Sequence, residues 1–224
     1  MAGAHGSDVT VGRIIGETVN QTAENLIPGA IFVAVLTVAG SIAEWIMLRG
    51  DEAPPIAPVL QLAVAGLSFF GMYLLLEFML RMSGQHSYEG PRRFLGYLGQ
   101  SIVIGLCFVL GLILLILPGL VVMARWSLAQ PLLVGRGVGA MDAVGMSWKM
   151  TAGHTTQIVV AILVLLVAIG VPTFLITFAF YDDSLFMIVL AQLLTNSLTV
   201  IGTAFVSALM LLIEPDAGYS EVFA

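Results

Sequence analysis

The sequence predicts an all-α fold: a polytopic membrane helix bundle of about six transmembrane helices plus two interfacial amphipathic helices. Hydrophobic residues make up 59% of the 224 residues and charged residues only 10%, whereas about 25% of a soluble domain is charged. The mean hydropathy is +1.03. Apolar runs long enough to cross a hydrocarbon core of about 30 Å recur along the chain between short polar segments. These observations exclude an ordinary soluble domain.

Charge and motif content narrow the function classes. The net charge of −6, from 14 acidic and 8 basic residues, argues against nucleic-acid binding, which requires a basic surface. Cys107 is the single cysteine, so no intramolecular disulfide can form. The histidines are scattered and belong to no zinc, nucleophile or phosphate-loop motif. We therefore expect no metal, no cofactor and no enzymatic activity.

Residues 1–25 are predicted to form a cytoplasmic amphipathic segment. Val11, Ile14, Ile15 and Val19 recur at helical spacing and would form its apolar face. Such a helix lies in the membrane interface or packs, solvated, on the bundle. The pattern does not separate these two alternatives.

The transmembrane bundle is predicted over residues 26–213, and an acidic tail follows over 214–224. The second interfacial helix is predicted over 139–152, where Trp148 suits the headgroup level. Segment 120–135 is short for a span, so a re-entrant half-span remains an alternative. The predicted spans are 26–48, 56–80, 94–117, 120–135, 156–180 and 185–213.

The positive-inside rule predicts the orientation. With six spans, one side holds six basic residues and the other holds only Arg49. The richer side, which also holds both termini, is therefore predicted to be cytoplasmic. Its basic residues are Arg13, Arg81, Arg92, Arg93, Arg136 and Lys149.

Arg125 is the exceptional residue, because a charge inside a membrane costs at least a few kcal/mol and needs a partner or a purpose. Proline cannot continue a helix and glycine permits a turn, so Pro118 and Gly119 are predicted to form a turn on the outer side. Arg125 would then lie in the outer half of the membrane. Its predicted partner is Glu44, near the outer end of the first span. An anionic headgroup or substrate bound at Arg125 is the functional alternative to this ion pair.

Two further polar features lie within the spans. Glu77 precedes Arg81 by four residues and is predicted to pair with it on one helix. The sixth span carries a stripe at helical spacing: Gln192, Asn196, Thr199, Thr203 and Ser207. Such a stripe serves as interhelical hydrogen-bonding contact or lines a polar path. Pairs of small residues such as Ala204 and Ala208 permit close helix approach and make a homodimer one option.

Two short segments resemble a known family. The first is Arg125-Trp126-Ser127-Leu128-Ala129, with Pro131 and Val134, preceded by Leu117-Pro118-Gly119. The second is Ser147-Trp148, with Thr151 and Gly153-His154. Together they resemble the membrane domain associated with glycerophosphoryl diester phosphodiesterases and the YciC-like bacterial inner-membrane proteins. Relatives often carry an acid after the Pro-x-x-Val segment, where this chain has Gly135-Arg136-Gly137.

The resemblance implies a six-helix bacterial inner-membrane protein without the phosphodiesterase domain. The leading hypothesis is a non-enzymatic protein that binds or organises phospholipid or supports a membrane partner. The alternative is a small transporter or channel component. The candidate ligand or headgroup residues are Arg125, Trp126, Gln192 and Asn196. The candidate structural residues are Glu44, Glu77, Arg81, Pro118, Gly119, Pro131, Ser147, Trp148, Thr151 and Gly153.

Overall fold

The structure, a computed structural model, describes residues 9–48, 54–89, 93–114, 116–179 and 183–213, without the side chains at 108 and 111–117. Every regular element in that part of the chain is helical. Two arginines used to predict the orientation, Arg49 and Arg92, lie outside the described residues. The predicted acidic tail, 214–224, also lies outside them.

The helices follow one another with short connections. A π-helical turn, Leu166–Gly170, joins α8 to α9 just before Pro172. Proline lacks the N–H that would continue the α-helical ladder, which is consistent with an irregular turn here. The helices are α1 (Val11–Glu24), α2 (Leu26–Met47), α3 (Ala57–Met82), α4 (Phe94–Leu114), α5 (Ile116–Trp126), α6 (Ala129–Arg136), α7 (Ala140–Met150), α8 (Thr155–Leu165), α9 (Val171–Ala179) and α10 (Leu185–Ile213).

Four of the described helical stretches are long and apolar enough to cross a membrane, as expected of a membrane protein. They are Leu26–Met47, Ala57–Met82, Thr155–Ala179 and Leu185–Ile213. The predicted third and fourth spans are not among them. Segment 120–135 is not one continuous helix, because α5 ends at Trp126 and α6 begins at Ala129. The count of six spans therefore stays a prediction.

The helix break before Arg125 differs from the prediction. Helix α5 begins at Ile116, so Pro118 and Gly119 lie inside its first turn and do not form the turn itself. Proline is tolerated there because the first N–H groups of a helix have no intrahelical acceptor. Helices α4 and α5 pack against each other.

Helix α10 lies at the centre of the packing and contacts α1, α2, α3, α6 and α9. Its Ala204 and Ala208 are fully buried within this chain, so their small size serves packing inside the bundle. The main core gathers large apolar side chains from the surrounding helices, among them Ile14, Leu76, Leu80, Leu132 and Leu209. Helix α6 is enclosed, with six of its eight residues buried.

Helix α1 forms as predicted, but its buried face is not the predicted apolar face. Val19 is 60% exposed, whereas Ile14, Thr18, Gln21 and Asn25 are buried. The buried face is half polar because it meets α10, whose Ser207 donates to Gln21 Oε1 at 3.5 Å. The segment packs against the bundle, and its position in the membrane interface stays a prediction.

Candidate functional site

The interruption between α5 and α6 is bridged by side chains of α7. Ser147, which is fully buried, donates its Oγ–H to Arg125 O at 2.6 Å and accepts from Leu128 N at 3.1 Å. Thr151 Oγ1 donates to Ser147 O at 2.7 Å and also lies 3.2 Å from Arg125 O. A helix end leaves backbone groups without intrahelical partners. The two hydroxyls of α7 therefore satisfy groups that the broken helix exposes.

Arg125 lies against Trp148 of the same α7 helix. Its Nη1 donates to Trp148 O at 3.0 Å, and its guanidinium carbon lies 5.1 Å from the centroid of the indole ring. A carbonyl and an aromatic face thus offset the cationic charge. Nε of Arg125 is buried and has no acceptor among the described residues. Trp148 is itself 43% exposed.

The predicted pairing of Arg125 with Glu44 does not hold. Glu44 Oε2 accepts from Gln192 Nε2 at 2.8 Å. Trp126, next to Arg125, lines a cavity with Ile201 and Phe205. These two residues lie 9 and 13 positions along α10 from Gln192, or about 14 and 20 Å at 1.5 Å per residue.

The predicted depths of Arg125 and of the Trp148 helix are incompatible with each other, for a related reason. The sequence pattern places Arg125 in the outer half of the membrane and the Trp148 helix on the inner surface. A 3.0 Å hydrogen bond joins the two residues, so both positions cannot be right. The depth was measured from a turn at Pro118 along an unbroken helix. The chain is instead helical through Pro118 and Gly119, and its helix breaks at Ser127–Leu128.

The polar stripe of α10 meets α2 and α1. Besides the Gln192–Glu44 bond, Asn196 Nδ2 donates to Thr37 Oγ1 at 3.3 Å, and Ser207 contacts Gln21. Gly40 makes room for the Gln192 amide, since a Cβ there would lie 2.6 Å from Gln192 Oε1. These contacts favour the interhelical hydrogen-bonding role of the stripe.

Two glutamine contacts were missed by the sequence reasoning. Gln100 Nε2 donates to Ala140 O at 3.0 Å, and Gln130 Nε2 donates to Ser101 Oγ at 3.0 Å. Both glutamines lie in apolar stretches, where a polar side chain needs a partner. That rule could have drawn attention to them, but it does not name the partner.

The predicted ion pair at the end of α3 is present. Arg81 Nη2 lies 2.8 Å from Glu77 Oε1, and the Glu77 carboxylate is nearly buried while the Arg81 side chain is more than half exposed. The spacing of four residues is sufficient to bring them together on one helix. Of the other predicted structural residues, Pro131 lies buried in the first turn of α6 and Gly153 in the turn after α7.

Two glycines, Gly135 and Gly137, follow Val134 where α6 ends. A Cβ on Gly135 would approach Gln85 O to 3.1 Å, and a Cβ on Gly137 would overlap the Tyr88 ring. Gly137 also has φ +65°, in the left-handed region that favours glycine. The loop containing Gln85 and Tyr88 therefore requires small residues here.

An apolar cavity of about 350 Å³ lies beside Trp126, and we call it the α8–α10 cavity. Trp126, Ser127 and Gln130 supply its polar edge. The remaining wall is apolar and includes the π-helical turn. Its lining comprises Ile104, Met123, Trp126, Ser127, Gln130, Ile162, Leu165, Leu166, Gly170, Leu198, Ile201, Gly202, Phe205 and Val206.

The predicted ligand residues do not share one site. Trp126 lines the α8–α10 cavity, whereas Asn196 lines a separate cavity of about 160 Å³ with Phe32 and Met72. Gln192 is engaged by Glu44. Within the described ranges, no three His, Cys, Asp or Glu residues are grouped to hold a metal ion.

Comparison with family models, with curated proteins and with solved structures gave no match. The resemblance carried by the Arg125-Trp126 and Ser147-Trp148 segments therefore stays a prediction.

Proposed function

We propose that this chain is a non-enzymatic, multi-pass inner-membrane protein of bacterial type that binds phospholipid, with an acyl chain in the α8–α10 cavity. The observation that carries the proposal is the cavity itself, apolar along its wall and polar at the edge formed by Trp126, Ser127 and Gln130. Small-molecule sites have this composition and volumes of about 300–1,000 Å³.

The surface of α7 supports a site for lipid beside this cavity. Met141 is 73% exposed and Trp148 43% exposed, and Arg125 braces Trp148 from the bundle side. Exposed apolar and aromatic residues on a short helix are typical of the membrane interface. The same helix holds the α5–α6 junction through Ser147, so lipid packing on α7 and the shape of the cavity would be coupled.

In the proposed topology, six spans place both termini in the cytoplasm, and the α4 helix and the α5–α6 pair provide the third and fourth crossings. Clustering of basic residues supports this orientation. Arg81 and Arg93 line one cavity, and Arg136 Nη1 donates to Ser87 Oγ in the neighbouring loop at 3.0 Å. The proposal also includes that the chain binds a second membrane protein or a second copy of itself.

The alternative proposal is a small transporter whose polar path is lined by Arg125 and the α10 stripe. It has less support. Arg125 is engaged by Trp148, and the stripe residues Gln192 and Asn196 are engaged by α2. The cavity that Asn196 lines does not include Arg125.

The experiment fills the cavity. Gly202 lines it and has nothing within 4 Å of an added Cβ, so the leucine side chain of Gly202→Leu begins in open space and should fill part of the cavity. Gly66→Leu is the matched control, since Gly66 lies on α3 with equally open surroundings. Native mass spectrometry of the purified chain should show lipid adducts that fall severalfold in Gly202→Leu and persist in Gly66→Leu. Equal lipid retention in both variants would overturn the proposal.

A further inference from the structure

A second cavity, of about 220 Å³, lies at the end of α3 and differs in character from the α8–α10 cavity. Its polar lining comes from α3, the loop after it and the residue before α4. Leu133 and Val134 of α6 form its apolar floor. The polar residues that matter here are Glu77, Arg81, His86, Tyr88 and Arg93.

Both guanidinium groups in this cavity are held in place. Arg93 Nε donates to Tyr88 OH at 3.2 Å, and its guanidinium carbon lies 4.9 Å from the Tyr88 ring centroid. Arg81 donates from Nε and Nη2 to Glu77 Oε1, at 3.2 and 2.8 Å. Planar guanidinium groups fixed in this way present their remaining N–H groups as forked donors, which suit phosphate oxygens.

The loop that carries His86 and Tyr88 is fixed by its backbone. His86 N donates to Leu80 O at 3.1 Å, and Tyr88 N donates to Gly135 O at 3.1 Å. Gly137 leaves the space that the Tyr88 ring occupies. The cavity is therefore preorganised and does not depend on a ligand to order its wall.

The charge balance of the lining favours an anion. Two guanidinium groups face one carboxylate, so the lining carries a net charge of +1 with His86 neutral. Glu89, the next acid along the chain, is exposed and lies outside the lining. A phosphate group offers several acceptor oxygens and a negative charge to these donors.

We propose that this cavity binds a phosphate group, carried either by a phospholipid headgroup or by a soluble phosphate ester. Arg93 and Arg81 hold the phosphate oxygens, and Tyr88 positions Arg93. The inference does not rest on the α8–α10 cavity, because the two cavities share no lining residue.

The test uses the full chain in nonionic detergent. One arm titrates inorganic phosphate and glycerol 3-phosphate by calorimetry. The other measures retention of phosphatidylglycerol against diacylglycerol of the same acyl chains by native mass spectrometry. Arg93→Gln should weaken binding about tenfold or more, as the loss of a charge-assisted hydrogen bond predicts. Arg13→Gln removes an equal charge outside the cavity and should leave binding unchanged.

Two further variants separate binding from folding. Arg93→Lys keeps the charge and should retain part of the affinity. Glu77→Gln removes the competing carboxylate and should strengthen binding, an effect that damage to the fold would not produce. Binding in the soluble arm identifies a phosphate ester, and binding in the lipid arm alone identifies a headgroup. If Arg93→Gln binds as tightly as the unaltered chain in both arms, or if neither arm shows binding, the proposal is wrong.

Discussion

Replacing Ser147 with alanine tests whether α7 holds the α5–α6 junction. The change removes the hydroxyl that donates to Arg125 O and accepts from Leu128 N. Leu128 and Ser147 are both fully buried, so water cannot replace the lost partner. An unsatisfied buried donor costs about 1–3 kcal/mol. Arg125 O still has the Thr151 hydroxyl at 3.2 Å. The loss of its hydrogen bond from Ser147 therefore adds only about 0.6 kcal/mol, the average for a hydrogen bond in a membrane protein.

The free energy of unfolding should therefore fall by about 1.5–3.5 kcal/mol in Ser147→Ala, on these hydrogen-bond magnitudes. Unfolding in mixed micelles with increasing dodecyl sulfate, followed by circular dichroism, measures it. Ser68→Ala is the matched control, because Ser68 donates only to Val64 O of its own helix, and it should change stability by less than about 0.5 kcal/mol. Thr151→Val should cost about 1 kcal/mol or less, since Ser147 still serves Arg125 O.

The relative order of these variants is the critical result. If Ser147→Ala is no more destabilising than Ser68→Ala, the hydroxyl bridge does not hold the junction. If Thr151→Val lowers the free energy of unfolding as much as Ser147→Ala does, the reasoning is also refuted. The main cost would then not come from leaving Leu128 N without an acceptor.

Two other predictions concern the corrected partners and the titration of the phosphate cavity. In double-mutant cycles, Glu44→Ala and Gln192→Ala should couple by about 0.6–1.7 kcal/mol, whereas Glu44→Ala and Arg125→Ala should be additive; the reverse pattern would restore the Glu44–Arg125 pair. Burial, and then the positive charge of Arg81, lower the pKa of His86 below its usual 6.5. The neutral form is thus favoured by the fold, and the stability it contributes is complete above about pH 6.5 and is lost as the pH falls through the pKa of folded His86. Histidine NMR, with His86→Gln for assignment, should give a pKa below 6.5 that rises in Arg81→Gln; an unshifted value in both would contradict this account.

Local features of the chain were predicted well because their causes are local. The helices of the four long apolar stretches follow from length and composition. The Glu77–Arg81 pair follows from a spacing of four on one helix. The α1 and α7 helices follow from their amphipathic periodicity. The polar part of the buried face of α1 was missed, since periodicity locates apolar residues but does not reveal that Gln21 meets Ser207 of α10.

The sequence by itself thus determined that the chain is an apolar, helical, membrane-type protein, and it marked Arg125 as the residue needing a partner. Only the tertiary structure decided which partner that is. Arg125 bonds to a residue 23 positions away and Glu44 to one 148 positions away, and pairings over such separations depend on where helices break and turn. A helix that continues through Pro118 and Gly119 and breaks at Ser127–Leu128 places Arg125 against the carbonyl and ring of Trp148, not beside Glu44. The physical reason is that the depth of a residue is counted from the turn that precedes its helix, so a misplaced turn shifts every residue of that helix.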